Sequence, residues 1–328
     1  MTAKGLRIAE IDARTPPQSA ARAILRDRLG CVEGLIKRCR KTLPLTSAMV
    51  HELRASTRKA VVALDSFACL LDPKARRKLH KRLGRIRRAA GGVRDTDVAL
   101  DILRDVSPQA ESLPGLDHAI AQTEAQREAG SRTLRDAVER DAGRKLRKLR
   151  RRLLCGLPCT PESGPASLRE LAETALTGAI SRSRAATTAD LALIHNLHSL
   201  RIALRKLRLT LELFEMCVPV TFDLTSSVRD LVTLLGRVND LSRVAAICDE
   251  ISSSAPHNTA SAAVASLAAR FGLIRDRRHA HALQSVARLD ALLLTPLEDA
   301  VRATRPVPAA GSVDTGAGAP GAARSASA

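Results

Sequence analysis

Two nine-residue stretches carry the residues most able to do chemistry. The first is His51-Glu-Leu-Arg54-Ala-Ser-Thr-Arg58-Lys59, leading to Phe67; the second is His198-Ser-Leu-Arg201-Ile-Ala-Leu-Arg205-Lys206, leading to Phe214. His51, Arg54 and Arg58 stand at i, i+3 and i+7, which on an α-helix confines them to a stripe roughly 60° wide. His198, Arg201, Arg205 and Arg208 repeat that stripe. A row of guanidinium groups on one helix face suits a row of phosphates, because each fork of N–H donors can grip phosphate oxygens bidentately. A histidine at the head donates one hydrogen bond when neutral and adds charge if an anion raises its pKa. For a single helix, a solvated basic face would be the simpler explanation. The same pattern in both halves favours a site.

The charge around these stripes points the same way. Between Pro73 and Arg94 stand ten Lys or Arg residues and no carboxylate. Like charges at i, i+4 destabilise a helix, so a partner that neutralises them is expected. Lys74, Lys78, Lys81, Arg82 and Arg85 are the candidate contacts there, most of them flanking one side of the apolar face. The corresponding stretch Ser226–Asp230 has lost most of this charge, and Val61 stands where the second half has Arg208. The first half is thus expected to contribute more of the electrostatic grip. The run Arg144–Arg152 is explained by its place at the end of a helix, where cations complement the macrodipole.

The elements that must position these side chains are helices. Leu and Ala supply most of the apolar surface, with no Trp or Tyr and 4 Phe in 328 residues. Such a composition favours helix and leaves little to fill strands. Periodicity predicts helices over 18–41, 46–71, 73–90, 95–106 and 116–154, then 166–183, 188–217, 222–236, 240–253 and 259–302. The two sets repeat. Gly91-Gly-Val93-Arg-Asp95 answers Gly236-Arg-Val238-Asn-Asp240, and Leu79, Leu83, Ile86 and Ala90 answer Leu224, Val228, Leu231 and Leu235. Leu53, Ala60, Leu64, Phe67 and Leu71, like Leu200, Leu204, Leu207, Leu211 and Phe214, fall on a separate face and should be core. The fold class expected is all-α, a tandem pseudo-two-fold repeat of two antiparallel helical bundles. Residues 18–154 and 166–304 form the repeats, 155–165 a Pro/Gly-rich linker, 1–17 a flexible N-terminus, and 305–328 a disordered Ala/Gly/Pro/Ser tail.

The doubled His-x-x-Arg-x-x-x-Arg-Lys helix, followed each time by Gly-x-Val-x-Asp, resembles the CHAD domain, the conserved histidine α-helical domain. The likeness spans roughly Gln18 to Arg302. It implies two four-helix-type bundles in pseudo-symmetric arrangement, with a basic central channel or surface that binds inorganic polyphosphate, often at polyphosphate granules. Carried onto this chain, it supports His51, Arg54, Arg58 and Lys59, and His198, Arg201, Arg205, Lys206 and Arg208.

Other classes are disfavoured by what the chain lacks. No catalytic residue, metal ligand or cofactor is expected. None of the 8 histidines is followed by Asp, as a helical HD-type phosphohydrolase would need, and no Gly-rich loop ends in Gly-Lys-Ser/Thr. Asp95 and Asp240, each at the start of a predicted helix, are read as N-caps in preference to a Mg²⁺ site formed by Asp95 and Asp97. A net charge of +19 permits nonspecific nucleic-acid binding, the main alternative, but the shortage of aromatic rings argues against base stacking. Phosphohydrolase or phosphotransferase activity is a more distant alternative. No segment approaches the roughly 20 apolar residues of a membrane span, and Met1–Pro17 lacks the apolar stretch of a secretory signal. The 7 scattered cysteines read as buried thiols of a reduced, cytoplasmic protein; protein partners are left open.

Overall fold

The computed structural model describes residues 11–42, 44–106, 115–141, 144–157, 165–218, 222–254 and 259–303. Among them, every regular element is a helix. The first half contains α1 (Pro17–Lys41), α2 (Ser47–Ser66), α3 (Pro73–Val106), α4 (Leu116–Asp141) and α5 (Arg144–Cys155). The second contains α6 (Leu168–Thr187), α7 (Ile194–Leu213), α8 (Phe222–Ser254), α9 (Thr259–Ala287) and α10 (Thr295–Arg302). Packing follows the repeat: α1 on α2, α2 on α3 and α3 on α4 recur as α6 on α7, α7 on α8 and α8 on α9. The expected 305–328 tail, and most of the expected linker and N-terminal segment, lie outside the described residues.

Each half buries the apolar face that its periodicity marks. Leu53, Ala60, Leu64 and Phe67 are fully buried, as are Leu200, Leu204 and Leu207. Both cores draw on both halves. One runs from Leu25 and Leu64 to Ile180, Leu204 and Leu297; the other joins Leu103 and Ala119 of α3 and α4 to Val244, Ile247 and Phe271 of α8 and α9. Removing so much apolar surface from water is the main term holding the repeats together.

Several helix limits differ from the sequence expectation. α3 and α8 continue unbroken where breaks were expected, so Asp95 and Asp240 lie inside helices and are not N-caps. Glycine in a helix interior costs about 1 kcal/mol against alanine but does not forbid the turn. The expected helix 116–154 is described as α4 to Asp141 and α5 from Arg144, with 142–143 outside the described residues. α6 starts at a capping arrangement missed in the sequence: Ser167 accepts from Glu170 N–H, and Glu170 accepts from Ala166 N–H. The expected helix 259–302 ends as α9 at Ala287, passes through a π-turn at Asp290–Leu294, and resumes as α10, whose first turn holds Pro296. Proline has no N–H to give the ladder, and the widened turn stands just ahead of it. Cysteines also depart from expectation: Cys39, Cys217 and Cys248 are buried, but Cys31, Cys69 and Cys155 are exposed, all as free thiols.

Candidate functional site

The stripes of α2 and α7 meet around the pseudo-two-fold axis. Phe67 and Phe214, which correspond in the repeat, pack edge to face with ring centroids 5.9 Å apart. Around them the ion pairs are reciprocal: Lys206 of α7 reaches Asp65 of α2 at 2.6 Å, and Lys59 of α2 reaches Glu212 of α7 at 3.8 Å. Equivalents facing equivalents are the mark of a two-fold relation.

At the N-terminal side of this crossing the two stripes line one cavity of about 330 Å³. His51, Arg54, Arg58 and Lys59 enter it from α2, and Arg201, Arg205 and Arg208 from α7. α3 adds Arg94 and Asp95; α8 adds Arg237, Asn239 and Asp240. Seven arginines thus share the cavity with two carboxylates.

The Gly-x-Val-x-Asp motif has a physical explanation here. Val93 and Val238 are buried and pin α3 and α8 to the core. Gly91 leaves room for the Arg54 side chain, whose Nε would lie 3.9 Å from a Cβ built there. One turn on, Asp95 pairs with the same guanidinium at 3.3 Å. Gly236 and Arg201 repeat the arrangement, with Nε 3.7 Å from an added Cβ, and the Asp240 charge favours that arginine. Each motif therefore sets one arginine over a glycine with an aspartate charge nearby, in direct contact for Arg54 and Asp95.

The remaining cations crowd each other. Burial first, then the charges of Arg201, Arg58, Arg54 and Arg208, lower Arg205 from 12.5 to about 9. Burial and Arg54, Arg201, Arg208 and Arg87 lower Arg58 to about 10. Burial also lowers Arg201, whose Nε finds no hydrogen-bond partner among the described residues. His51 at the mouth is held below 6.5 by desolvation and by Arg94, Arg58 and Arg54, so its imidazole is neutral at pH 7. An anion in the cavity would relieve every one of these depressions.

Not every residue singled out from the sequence lines this cavity. His198 is exposed and donates from Nδ1 to Asn239 Oδ1, so it touches the site only through that amide. Lys206 is turned to Asp65, whose carboxylate also lies 2.9 Å from His80 Nε2. Lys74, Lys78 and Lys81 are exposed, Arg82 and Arg85 half-buried, and none lines the cavity. Conversely, Arg94 and Arg237 do line it. Their signal was their place inside the Gly-x-Val-x-Asp motifs. Asp97 is buried and accepts from Arg127 Nε at 2.6 Å. A larger cavity of about 600 Å³ between α2, α6 and α7 mixes Lys206 and Arg182 with Asp65 and Glu170, and so has no preference for an anion.

Comparison with known proteins identifies the family and the fold. The family model for the CHAD domain matches residues 30–249 and again 195–326, and the chain belongs to that family. The fold is that of a crystal structure of the CHAD domain from the plant Ricinus communis, with a TM-score of 0.61 and 18% identity over 90% of this chain and 94% of that one. It is also that of PptA from Streptomyces chartreusis, with a TM-score of 0.59 and 20% identity over 82% of this chain and 100% of that one. No curated protein sequence matches significantly. No helix among the described residues is long and apolar enough to cross a membrane.

Proposed function

We propose that this chain, a member of a family associated with polyphosphate binding, holds inorganic polyphosphate in the arginine cavity on its two-fold axis without chemically changing it. One observation carries the reading: seven arginines converge there against two carboxylates, with Arg58 and Arg205 depressed to about 10 and about 9 by burial and mutual repulsion. A site so costly to leave empty fits a ligand with closely spaced negative charges and no apolar part. Arg54, Arg58, Arg201, Arg205 and Arg208 are the grip, His51 a neutral donor at the mouth, and Arg94 and Arg237 additional cations. Lys59 and Lys206, each tied to the opposite half, hold α2 and α7 in register. The absence of catalysis is part of this reading: of the two carboxylates in the cavity, Asp95 is engaged by Arg54, and Asp240 lies near enough to Arg201 for its charge to favour that guanidinium. Association with polyphosphate granules is the cellular setting this chemistry suits.

The test is binding of purified protein to long-chain polyphosphate and to duplex DNA across a salt series, beside a variant with Arg54, Arg58, Arg201 and Arg205 changed to Ala. Polyphosphate is expected to persist at salt that strips DNA, and the variant to lose that advantage. Loss of both polymers at the same salt, with the variant unchanged, would make the charge a diffuse coat.

A further inference from the structure

The lysines of α3 that miss the cavity lie on a second basic face. Arg76 and His80 reach Asp65 of α2, which fixes α2 on one flank of α3. Helical spacing turns Lys74, Lys78 and Lys81 away from that flank, onto the outer face of α3, a helix that also packs against α5. α5 is oriented by two contacts. Arg150 reaches Glu33 of α1 at 3.3 Å, and Arg152 reaches Asp72, at the start of α3, at 3.5 Å. Lys145 and Lys148 share the flank of Arg152 by helical spacing. The two helices therefore present Lys74, Lys78, Lys81, Lys145, Lys148 and Arg152 along one seam, all of them exposed. Neither Pro73–Arg94 nor Arg144–Cys155 contains a carboxylate. Asp72, at the end of the seam, is already engaged by Arg152 and by Lys74 N–H.

This seam is connected to the cavity. Arg85 and Arg88 continue the line of Lys78 and Lys81 along the outer face of α3 to the exposed Gly92, one turn before Asp95 at the cavity, while Arg94 enters the cavity from the α2 flank. From Lys81 to Arg94 is roughly 20 Å of helix. A cavity of about 330 Å³ holds only a short stretch of polymer, so a long chain has to leave it.

We propose that the α3–α5 seam is a second polyanion subsite, which engages the part of the same polyphosphate chain that leaves the cavity. The inference rests on the cavity being the polyphosphate site. Lysine ammonium groups on flexible stems suit this task, since they act as hydrated point charges without fixing one ligand geometry. Short phosphates bind at one place and long chains at two, so the seam gives preference for long chains through effective concentration.

The experiment compares inorganic triphosphate, long-chain polyphosphate and duplex DNA on three proteins: wild type, a seam variant, and a cavity variant carrying Arg58→Gln and Arg205→Gln. The seam variant carries Lys74→Gln, Lys78→Gln, Lys81→Gln, Lys145→Gln and Lys148→Gln, all at exposed positions, with helicity checked by circular dichroism. The seam variant should bind triphosphate like the wild type but lose roughly tenfold or more in affinity for the long chain. Unchanged affinity for long chains overturns the proposal, and so does a loss confined to DNA, which would make the seam a nucleic-acid face. A cavity variant that keeps wild-type triphosphate affinity instead refutes the cavity reading, and this inference with it.

Discussion

Replacing Arg205 with Gln should make the empty protein more stable and its ligand binding weaker. Arg205 is half-buried beside Arg201, Arg58, Arg54 and Arg208, and its pKa falls from 12.5 to about 9. Each factor of ten in proton affinity is about 1.4 kcal/mol, so keeping this group charged at neutral pH costs several kcal/mol at face value. The guanidinium borders an open cavity where water and salt screen it, which leaves about 1–3 kcal/mol recoverable by substitution. For a chain of this size that is a rise of a few degrees in Tm. The pH dependence has a definite sign. The native-state pKa of a cation is lowered, so the penalty is fully present below pH 9 and shrinks as pH rises from about 9 toward 12.5. Thermal unfolding in low and high salt, without polyanion, reads both effects. The variant's advantage should be largest at low salt, smaller at high salt, and smaller again above pH 9. A variant less stable than wild type by the same amount at every salt concentration would refute the reasoning, because the arginine would then be contributing packing rather than repulsion.

Other consequences follow from the same geometry. Gly91→Leu should displace Arg54 from its seat beside Asp95 and weaken polyphosphate binding about tenfold or more, while Gly92→Leu, on the exposed side of α3, should not; titration calorimetry separates them. His51 should take up protons when an anion binds, visible as a buffer-dependent binding enthalpy near pH 6 that His51→Gln abolishes. In the empty protein the same lowered pKa means that stability falls as pH drops below 6.5, where the unfolded chain binds the proton that the native state resists. Asp97→Ala would leave Arg127 without the carboxylate of a pair in which Asp97 is only 4% exposed, and urea unfolding should show a loss of about 3–5 kcal/mol with no direct effect on the cavity. Phe67→Ala should cost about 3–5 kcal/mol by removing a buried ring from the crossing of α2 and α7.

What could be read in advance, and what could not, divides along physical lines. The buried faces of α2 and α7 were legible because a period of 3.6 residues leaves little choice about which side enters the core. The arginine stripes were legible because they recur in register. Long-range facts were not. Helical spacing places Lys206 on the same stretch as Arg205, but only the tertiary structure shows that it answers Asp65, 141 residues away in sequence. Asp95 looked like a cap because two glycines precede it, yet the helix runs through them and the aspartate binds Arg54 instead. Lys74 and Lys78 belong with the site by their charge and by their place beside the apolar face, but the sequence does not say which flank of α3 meets α2.

The repeat itself explains why the charge concentrates where it does. Two halves related by a two-fold axis bring each near-axis residue close to its own counterpart, so one basic helix face becomes two facing each other. Arg58 and Arg205 correspond in the repeat; the charge of Arg58 lowers the pKa of Arg205, and Arg54, Arg201 and Arg208 lower both. In an empty protein this is a source of instability, and the counter-charges show how it is contained. Asp65 and Glu212 take the two lysines, Asp95 pairs with Arg54, and Asp240 favours Arg201. Arg58 and Arg205 form no ion pair among the described residues, and Arg208 is met by Glu212 at 3.3 Å within its own helix. The symmetry thus separates the lysines, paired with carboxylates across the crossing of α2 and α7, from the arginines, whose charge exceeds that of the two carboxylates beside them. Divergence of the halves then acts mostly outside the axis: the first half keeps a carboxylate-free basic helix from Pro73 to Arg94, which the second does not. A symmetric grip at the centre with an asymmetric basic flank suits a polymer that is held at one point and drawn off along one side.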